Sequence, residues 1–161
     1  MTSCINNSKK EEVACQNFYS DQRFDICLPT QNWKWEKIDS YIYFKNEEKD
    51  SSALNNSVIS IMIDDYKSEL SSKTLRDEHL KSMENSKSLE VSAISKGKQK
   101  INGETFYDFE INSKNGEIYS YFLFCNKGNL GYTITASVSE ENRNDLTKED
   151  YLKFFKSLEI K

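Results

Sequence analysis

The only histidine of the chain, His79, limits the acid–base and nucleophilic chemistry that the sequence can support. A Ser-His-Asp or Cys-His arrangement would have to use it, and a zinc site built from several histidines is excluded. His79 lies four residues after Leu75 and four before Met83, a spacing that places it among apolar side chains on one side of a helix. We therefore expect a partly buried structural histidine, no catalytic residue and no enzymatic activity.

The four cysteines, Cys4, Cys15, Cys27 and Cys125, show no C-x-x-C spacing, which argues against a zinc-ribbon or thioredoxin-like site. Cys15, Cys27 and Cys125 allow one disulfide in an exported protein, and a bridge from Cys15 would tie the N-terminal tail to the body. Cys27 and Cys125 both fall in predicted strands, so buried free thiols are the alternative.

The sequence also lacks a recognisable cofactor site. Asp64 and Asp65 follow a predicted strand, but they have neither the number of oxygen ligands nor the glycine of a calcium loop. No glycine-rich phosphate loop or nucleophile elbow is present. We expect no metal and no cofactor.

The aromatic residues favour recognition of a protein partner. Nine Phe, nine Tyr and two Trp make up 12% of the chain, which excludes intrinsic disorder. The net charge of −4 argues against a sequence-independent nucleic-acid binder, and no apolar run reaches the roughly 18 residues of a membrane helix. Because Tyr and Trp anchor many protein contacts, we predict a recognition surface at Trp33, Trp35 and Tyr41.

The elements that position these residues follow from hydrophobic periodicity. Alternation predicts strands at 24–28, 41–46 and 57–63. Asn102-Gly103 and Asn115-Gly116 predict type I′ hairpins, and a third tight turn completes a meander. Strand 117–125 is apolar on both faces and is expected to be central. Thr74 predicts the cap of a first helix, and Thr147 with Asp150 that of a second over 147–158. The pattern predicts an α+β fold, an antiparallel sheet of about five to seven strands flanked by helices.

This order of elements resembles the PsbP-like superfamily over residues 22–161. The resemblance rests on Leu28-Pro29 followed by Trp33, on Ile101-Asn102-Gly103, and on the closing Phe155-Lys156-Ser157-Leu158. It implies an α/β/α sandwich at 21–161. It implies no chemistry, because the superfamily has no shared catalytic residues and no shared cofactor.

The amino terminus resembles the end of a bacterial lipoprotein signal, in which small residues precede a lipidated cysteine. Met1-Thr2-Ser3-Cys4 matches it, with Met1 where Leu is usual. We expect Cys4 to carry the lipid after removal of a signal peptide, and residues 1–20 to form a flexible tether. The expected function is a non-enzymatic lipoprotein of the bacterial cell envelope, on the periplasmic or surface side, that binds or assembles proteins. The alternatives are a soluble, cytoplasmic protein-binding factor, such as a secretion chaperone or toxin-immunity protein, and an unrecognised enzyme.

Overall fold

A computed structural model describes residues 15–48, 52–67, 70–113 and 117–161. The described chain forms ten strands, two α-helices and one 3₁₀ turn at Glu140–Asn142. The strands are β1 (Phe18–Ser20), β2 (Phe24–Cys27), β3 (Trp33–Ile38), β4 (Tyr41–Asn46), β5 (Val58–Asp65), β6 (Val91–Ile101), β7 (Glu104–Ser113), β8 (Ile118–Lys127), β9 (Leu130–Ser139) and β10 (Glu159–Ile160); the helices are α1 (Ser72–Glu84) and α2 (Lys148–Phe155). Neither helix is long and apolar enough to cross a membrane.

The strands form two antiparallel sheets. The larger sheet has seven strands in the order β3-β4-β5-β9-β8-β7-β6, and the smaller has the order β1-β2-β10. The predicted α+β class and the strand number of the main sheet are confirmed. The small sheet was not predicted, because β1 and β10 span only three and two residues, and β10 pairs with β2 from the other end of the chain.

Each face of the seven-stranded sheet has its own apolar core. One face packs against α2 and the small sheet around residues such as Trp33, Phe44 and Tyr151. The other packs against α1, where Leu75 and Leu80 meet phenylalanines of β7 and β8. The two-faced character of β8 is therefore confirmed, with seven consecutive buried residues.

The predicted N-cap is confirmed for α2 but not for α1. At α2, the Asp150 carboxylate accepts a hydrogen bond from the Thr147 backbone N–H at 3.0 Å, as the predicted cap requires. At α1, the prediction of Thr74 as the cap is wrong. Ser71 is the N-cap, and its hydroxyl accepts from the N–H of Thr74 at 3.0 Å. Because Ser71 caps the chain three residues upstream, Thr74 lies inside the first turn and α1 gains most of a turn.

The tether is shorter than predicted. Residues 15–20 belong to the fold, because β1 pairs with β2 and Cys15 forms a disulfide with Cys27. The Asn17 side chain is buried and donates to the carbonyls of Thr30 and Trp33. In the sequence, polar residues that form such hydrogen bonds cannot be distinguished from those of a linker. The predicted boundary between tether and domain at residue 20 is therefore wrong. The rest of the predicted tether, with Cys4, lies outside the described residues.

The predicted hairpin at Asn102-Gly103 is confirmed. Asn102 has φ 47° and Gly103 has φ 87°, and Ile101 pairs with Glu104 across the turn. The Asn102 side chain also donates to the carbonyls of Lys156 (3.2 Å) and Leu158 (2.8 Å), at the end of α2. The other predicted Asn-Gly turn, 115–116, lies outside the described residues.

We expect Asn102→Ala to lower the free energy of unfolding by about 2 kcal/mol, since it removes these hydrogen bonds and puts alanine, which adopts positive φ less readily than Asn, in the turn. Asn102→Gly removes the same amide but tolerates the turn, so its expected loss is smaller, about 1 kcal/mol. Urea titration of both variants measures the difference. Equal losses would show that the backbone conformation contributes nothing.

Candidate recognition surface

Trp33 does not belong to an exposed recognition surface. Its side chain is fully buried and packs against Phe154 of α2 with ring centroids 4.9 Å apart. The prediction is therefore wrong for this residue. Trp33 begins β3 on the side of the sheet that α2 covers, and a large apolar ring there fills the space beneath the helix.

Trp35 and Tyr41 are exposed, at 45% and 37%, but they lie on opposite faces of the sheet. Trp35 pairs with Phe44, whereas Tyr41 lies three residues from Phe44 on the same strand. Since side chains alternate along a strand, Tyr41 points away from the face that holds Phe44. Trp35 instead contacts the edge of Tyr19 at 5.6 Å. The three predicted aromatics thus do not form one surface.

Tyr41 belongs to a different surface, which we call the open face. Helix α1 covers the part of the sheet formed by β7 and β8, and among the described elements none packs over β3, β4 and β5 on the same side. The open face has three well-exposed apolar side chains, Ile38 (47%), Val58 (40%) and Tyr41. Its apolar part consists of Ile38, Tyr41, Tyr43 and Met62; Ser60 and Val58 continue the same face along β5, and Glu36, Lys34 and Lys45 lie beside them on β3 and β4.

Cross-strand pairing makes the open face continuous. Tyr41 pairs with Ile38 on one side and with Met62 on the other, and its ring stacks on Tyr43 at 5.7 Å. The alternation of β5 shows that Val58 and Met62 lie opposite the buried isoleucines. Sequence alone could not show that this second face lacks a cover, because that depends on where α1 packs.

His79 is half-buried on α1, as its spacing predicted. Its ring lies 5.2 Å from that of Phe124 and 5.5 Å from that of Phe122. Burial against these rings lowers the pKa of His79 below its usual value of 6.5. This environment favours the neutral imidazole, whose main contacts are with apolar rings.

We expect acid to weaken folding through His79. Because its folded pKa is lowered, the unfolded chain binds more protons below about pH 6.5. The free energy of unfolding should therefore fall as the pH drops from about 7 to 5.5. His79→Leu should flatten this slope, as measured by thermal unfolding at several pH values. An unchanged slope in the variant would assign the effect to other groups.

A buried polar cluster lies under α2 and contains the most enclosed carboxylate of the described residues. Asp108 is 1% exposed and accepts hydrogen bonds from Tyr121 Oη (2.8 Å) and Gln99 Nε2 (3.0 Å). Glu110 accepts from Tyr119 Oη at 2.5 Å. Burial and the neighbouring carboxylates raise the pKa of both tyrosines. The phenols therefore remain protonated donors, and the cluster holds β7 to β8 with little access for a substrate.

The three cysteines among the described residues form one pair and one buried thiol. Cys15 and Cys27 form a disulfide, and Cys125 is free and 1% exposed. Burial raises the pKa of Cys125 to about 11, so its thiol is protonated at neutral pH and unsuited to nucleophilic attack.

The disulfide borders a groove of about 1470 Å³ between the loop after β2 and the start of α2. The ionisable groups that line it are Asp145, Asp150, Lys153 and Lys156. Asp150 already caps α2 and accepts from Lys153 at 3.3 Å. Within the described residues, no group of three or more His, Cys, Asp or Glu side chains could hold a metal ion, and Asp64 and Asp65 belong to the end of β5.

The seven-stranded sheet, with α1 on one face and the terminal helix α2 on the other, has a PsbP-like fold. The solution structure of cyanobacterial PsbP from Synechocystis sp. PCC 6803 is similar at a TM-score of 0.68, with 14% identity, over 100% of this chain and 99% of that chain.

Two further solved structures are similar at lower scores. A protein from Bacteroides thetaiotaomicron has a TM-score of 0.55 and 13% identity over 86% of this chain and 45% of its own. A protein of unknown function from Pseudomonas aeruginosa has a TM-score of 0.50 and 9% identity over 78% of this chain and 95% of its own. No family model matches the chain, and no curated protein matches its sequence.

Proposed function

We propose that this protein is a non-enzymatic lipoprotein of the bacterial cell envelope that binds a partner protein through the open face. The observation that carries the binding role is the uncovered apolar patch of Ile38, Tyr41, Tyr43 and Met62, in which Ile38 is exposed directly beside Tyr41. Soluble domains rarely expose contiguous apolar side chains unless the patch contacts another molecule. A stacked tyrosine pair adds rigid contact area at low entropy cost.

The chemistry of the other sites supports binding over catalysis. A general acid or base must reach its substrate, but Asp108 is enclosed and His79 lies against phenylalanine rings. The buried Cys125 thiol has a raised pKa. Since a fold does not determine a function, the proposal rests on these residues.

Two observations support a location in the envelope. Met1-Thr2-Ser3-Cys4 resembles a processed lipoprotein start, and the Cys15–Cys27 disulfide suits an oxidising compartment outside the cytoplasm. Eleven peptide units separate Cys4 from Cys15, so a lipid on Cys4 would hold the domain within about 40 Å of the membrane surface.

Site-specific photo-crosslinking in the producing cell tests the binding role. A benzophenone amino acid at Tyr41 should capture a partner, whereas the same group at Phe18 should not. Phe18 is a matched control, because it is exposed (53%) and aromatic but lies on the small sheet. Ile38→Asp should abolish capture from Tyr41, since it places a charge directly beside the tyrosine in the patch. Identical adducts from both positions, or none from Tyr41, would contradict the proposal.

Metabolic labelling with a fatty acid tests the anchor. We expect the wild-type protein, expressed from its natural gene, to carry the label and to sediment with membranes. Cys4→Ser should lose both properties, while Cys125→Ser should keep them. An unlabelled wild-type protein that stays soluble would favour the alternative, a soluble protein-binding factor.

A further inference from the structure

The edge of the seven-stranded sheet at β6 offers a second kind of interaction surface, separate from the open face. Among the described strands, β6 is the longest, with 11 residues, and it pairs only with β7. Its register shifts between Ala93 and Ser95 and is regular from Ser95 to Ile101. On an edge strand, every second residue directs its N–H and C=O groups away from the sheet, where another strand can pair with them.

The regular part of β6 carries a row of exposed lysines, Lys96, Lys98 and Lys100. They alternate along the strand and so share one face, with a spacing of about 6.6 Å. Their register partners are Phe109, Tyr107 and Thr105, none of which is acidic. Within the described residues, none of the three ammonium groups forms an ion pair.

This row determines which strand the edge can accept. A neighbouring strand places its own alternate side chains opposite the lysines, and opposite charges across a strand pair are stabilising whereas like charges are destabilising. A second copy of β6 would oppose lysine to lysine and be rejected, which is the protective effect of charged edges. An extended segment with carboxylates at every second position would match the row.

We propose that β6 binds an extended, acidic peptide segment, such as a partner's chain end or loop, by strand addition. Backbone hydrogen bonds would provide the pairing, and Lys96, Lys98 and Lys100 would select Asp or Glu at alternate positions. A peptide fits better than a polyanion or an anionic membrane for two reasons. Only a peptide can pair with the strand's backbone, and a net charge of −4 repels a long anionic chain or surface beyond this short row.

The probe is a nine-residue peptide in which glutamates alternate with threonines, added at millimolar concentration to the full chain. Amide hydrogen exchange followed by NMR should show new protection confined to residues 95–101. A peptide of the same composition with its glutamates in one block should protect these amides far less, as should a lysine-threonine peptide. Equal effects of the alternating and block peptides would overturn the proposal.

The triple variant Lys96→Gln/Lys98→Gln/Lys100→Gln should weaken binding of the alternating peptide about 10-fold, from the loss of three cross-strand ion pairs. The control is Lys34→Gln/Lys37→Gln/Lys45→Gln, which changes the net charge equally with exposed lysines of β3 and β4. The control should bind as the wild type does. Equal weakening in both variants would show that net charge, and not the position of the lysines, determines binding. Binding to phosphatidylglycerol vesicles but not to the peptide would show that the lysines contact lipid.

Discussion

Replacing Phe154 with alanine is expected to lower the free energy of unfolding by about 3–5 kcal/mol. The Phe154 side chain is 3% exposed and packs against Trp33, so it connects α2 to the sheet. It also contacts the ring of its neighbour Phe155, whose centroid is 5.1 Å away. Truncation removes the apolar contacts and leaves a cavity under the helix that the rigid strand below cannot close. Urea unfolding followed by tryptophan fluorescence measures the loss, because Trp33 lies in the same contact.

The control for this prediction is Phe18→Ala. Phe18 loses the same side chain but is 53% exposed on β1, so we expect a change of about 0.5 kcal/mol or less. If Phe154→Ala changed stability as little as Phe18→Ala, α2 would not be packed on the sheet in solution.

The double variant Cys15→Ser/Cys27→Ser should lose about 2–4 kcal/mol of stability. The disulfide joins residues 12 apart in sequence and restricts the unfolded chain, while in the folded protein it holds the start of the domain against β2. A reducing agent should lower the melting temperature of the wild type towards that of the variant and leave the variant unchanged.

Cys4→Ser is the control, since it removes a cysteine without touching this pair. Titration of thiols in denaturant should find two free groups in the unlipidated wild type, Cys4 and Cys125. Four free thiols in protein purified without reductant, or no loss of stability in the double variant, would show that the pair is not bonded in solution.

Local patterns were sufficient to predict much of the fold. The backbone conformation of the Asn102-Gly103 turn and the cap of α2 depend on residues within four positions of one another, so a local sequence pattern was enough to predict them. The two apolar faces of β8 likewise predicted a strand covered on both sides. The PsbP-like resemblance then gave the order of the layers.

The candidate site was harder to predict, because it depends on contacts distant in sequence. Trp33 and Trp35 have the same residue type and the same face, yet only Trp33 lies under α2. Tyr41 was correctly placed at the surface, but its partner in the open face, Met62, reaches it through pairing of β4 with β5. No local pattern shows that α1 leaves those strands uncovered.

The position of the disulfide also determines how the domain would bear mechanical tension from its amino-terminal side. A pulling force that arrives at Cys15 passes through the sulfur–sulfur bond to Cys27 at the end of β2. The segment between them, including β1, is bypassed by this covalent path and carries little of the load. Tension is instead applied to β2, whose partner β10 lies at the carboxyl end. If the amino terminus is anchored as proposed, unfolding under force would therefore begin with β2 and β10, and β1 would stay attached to the strand that is pulled.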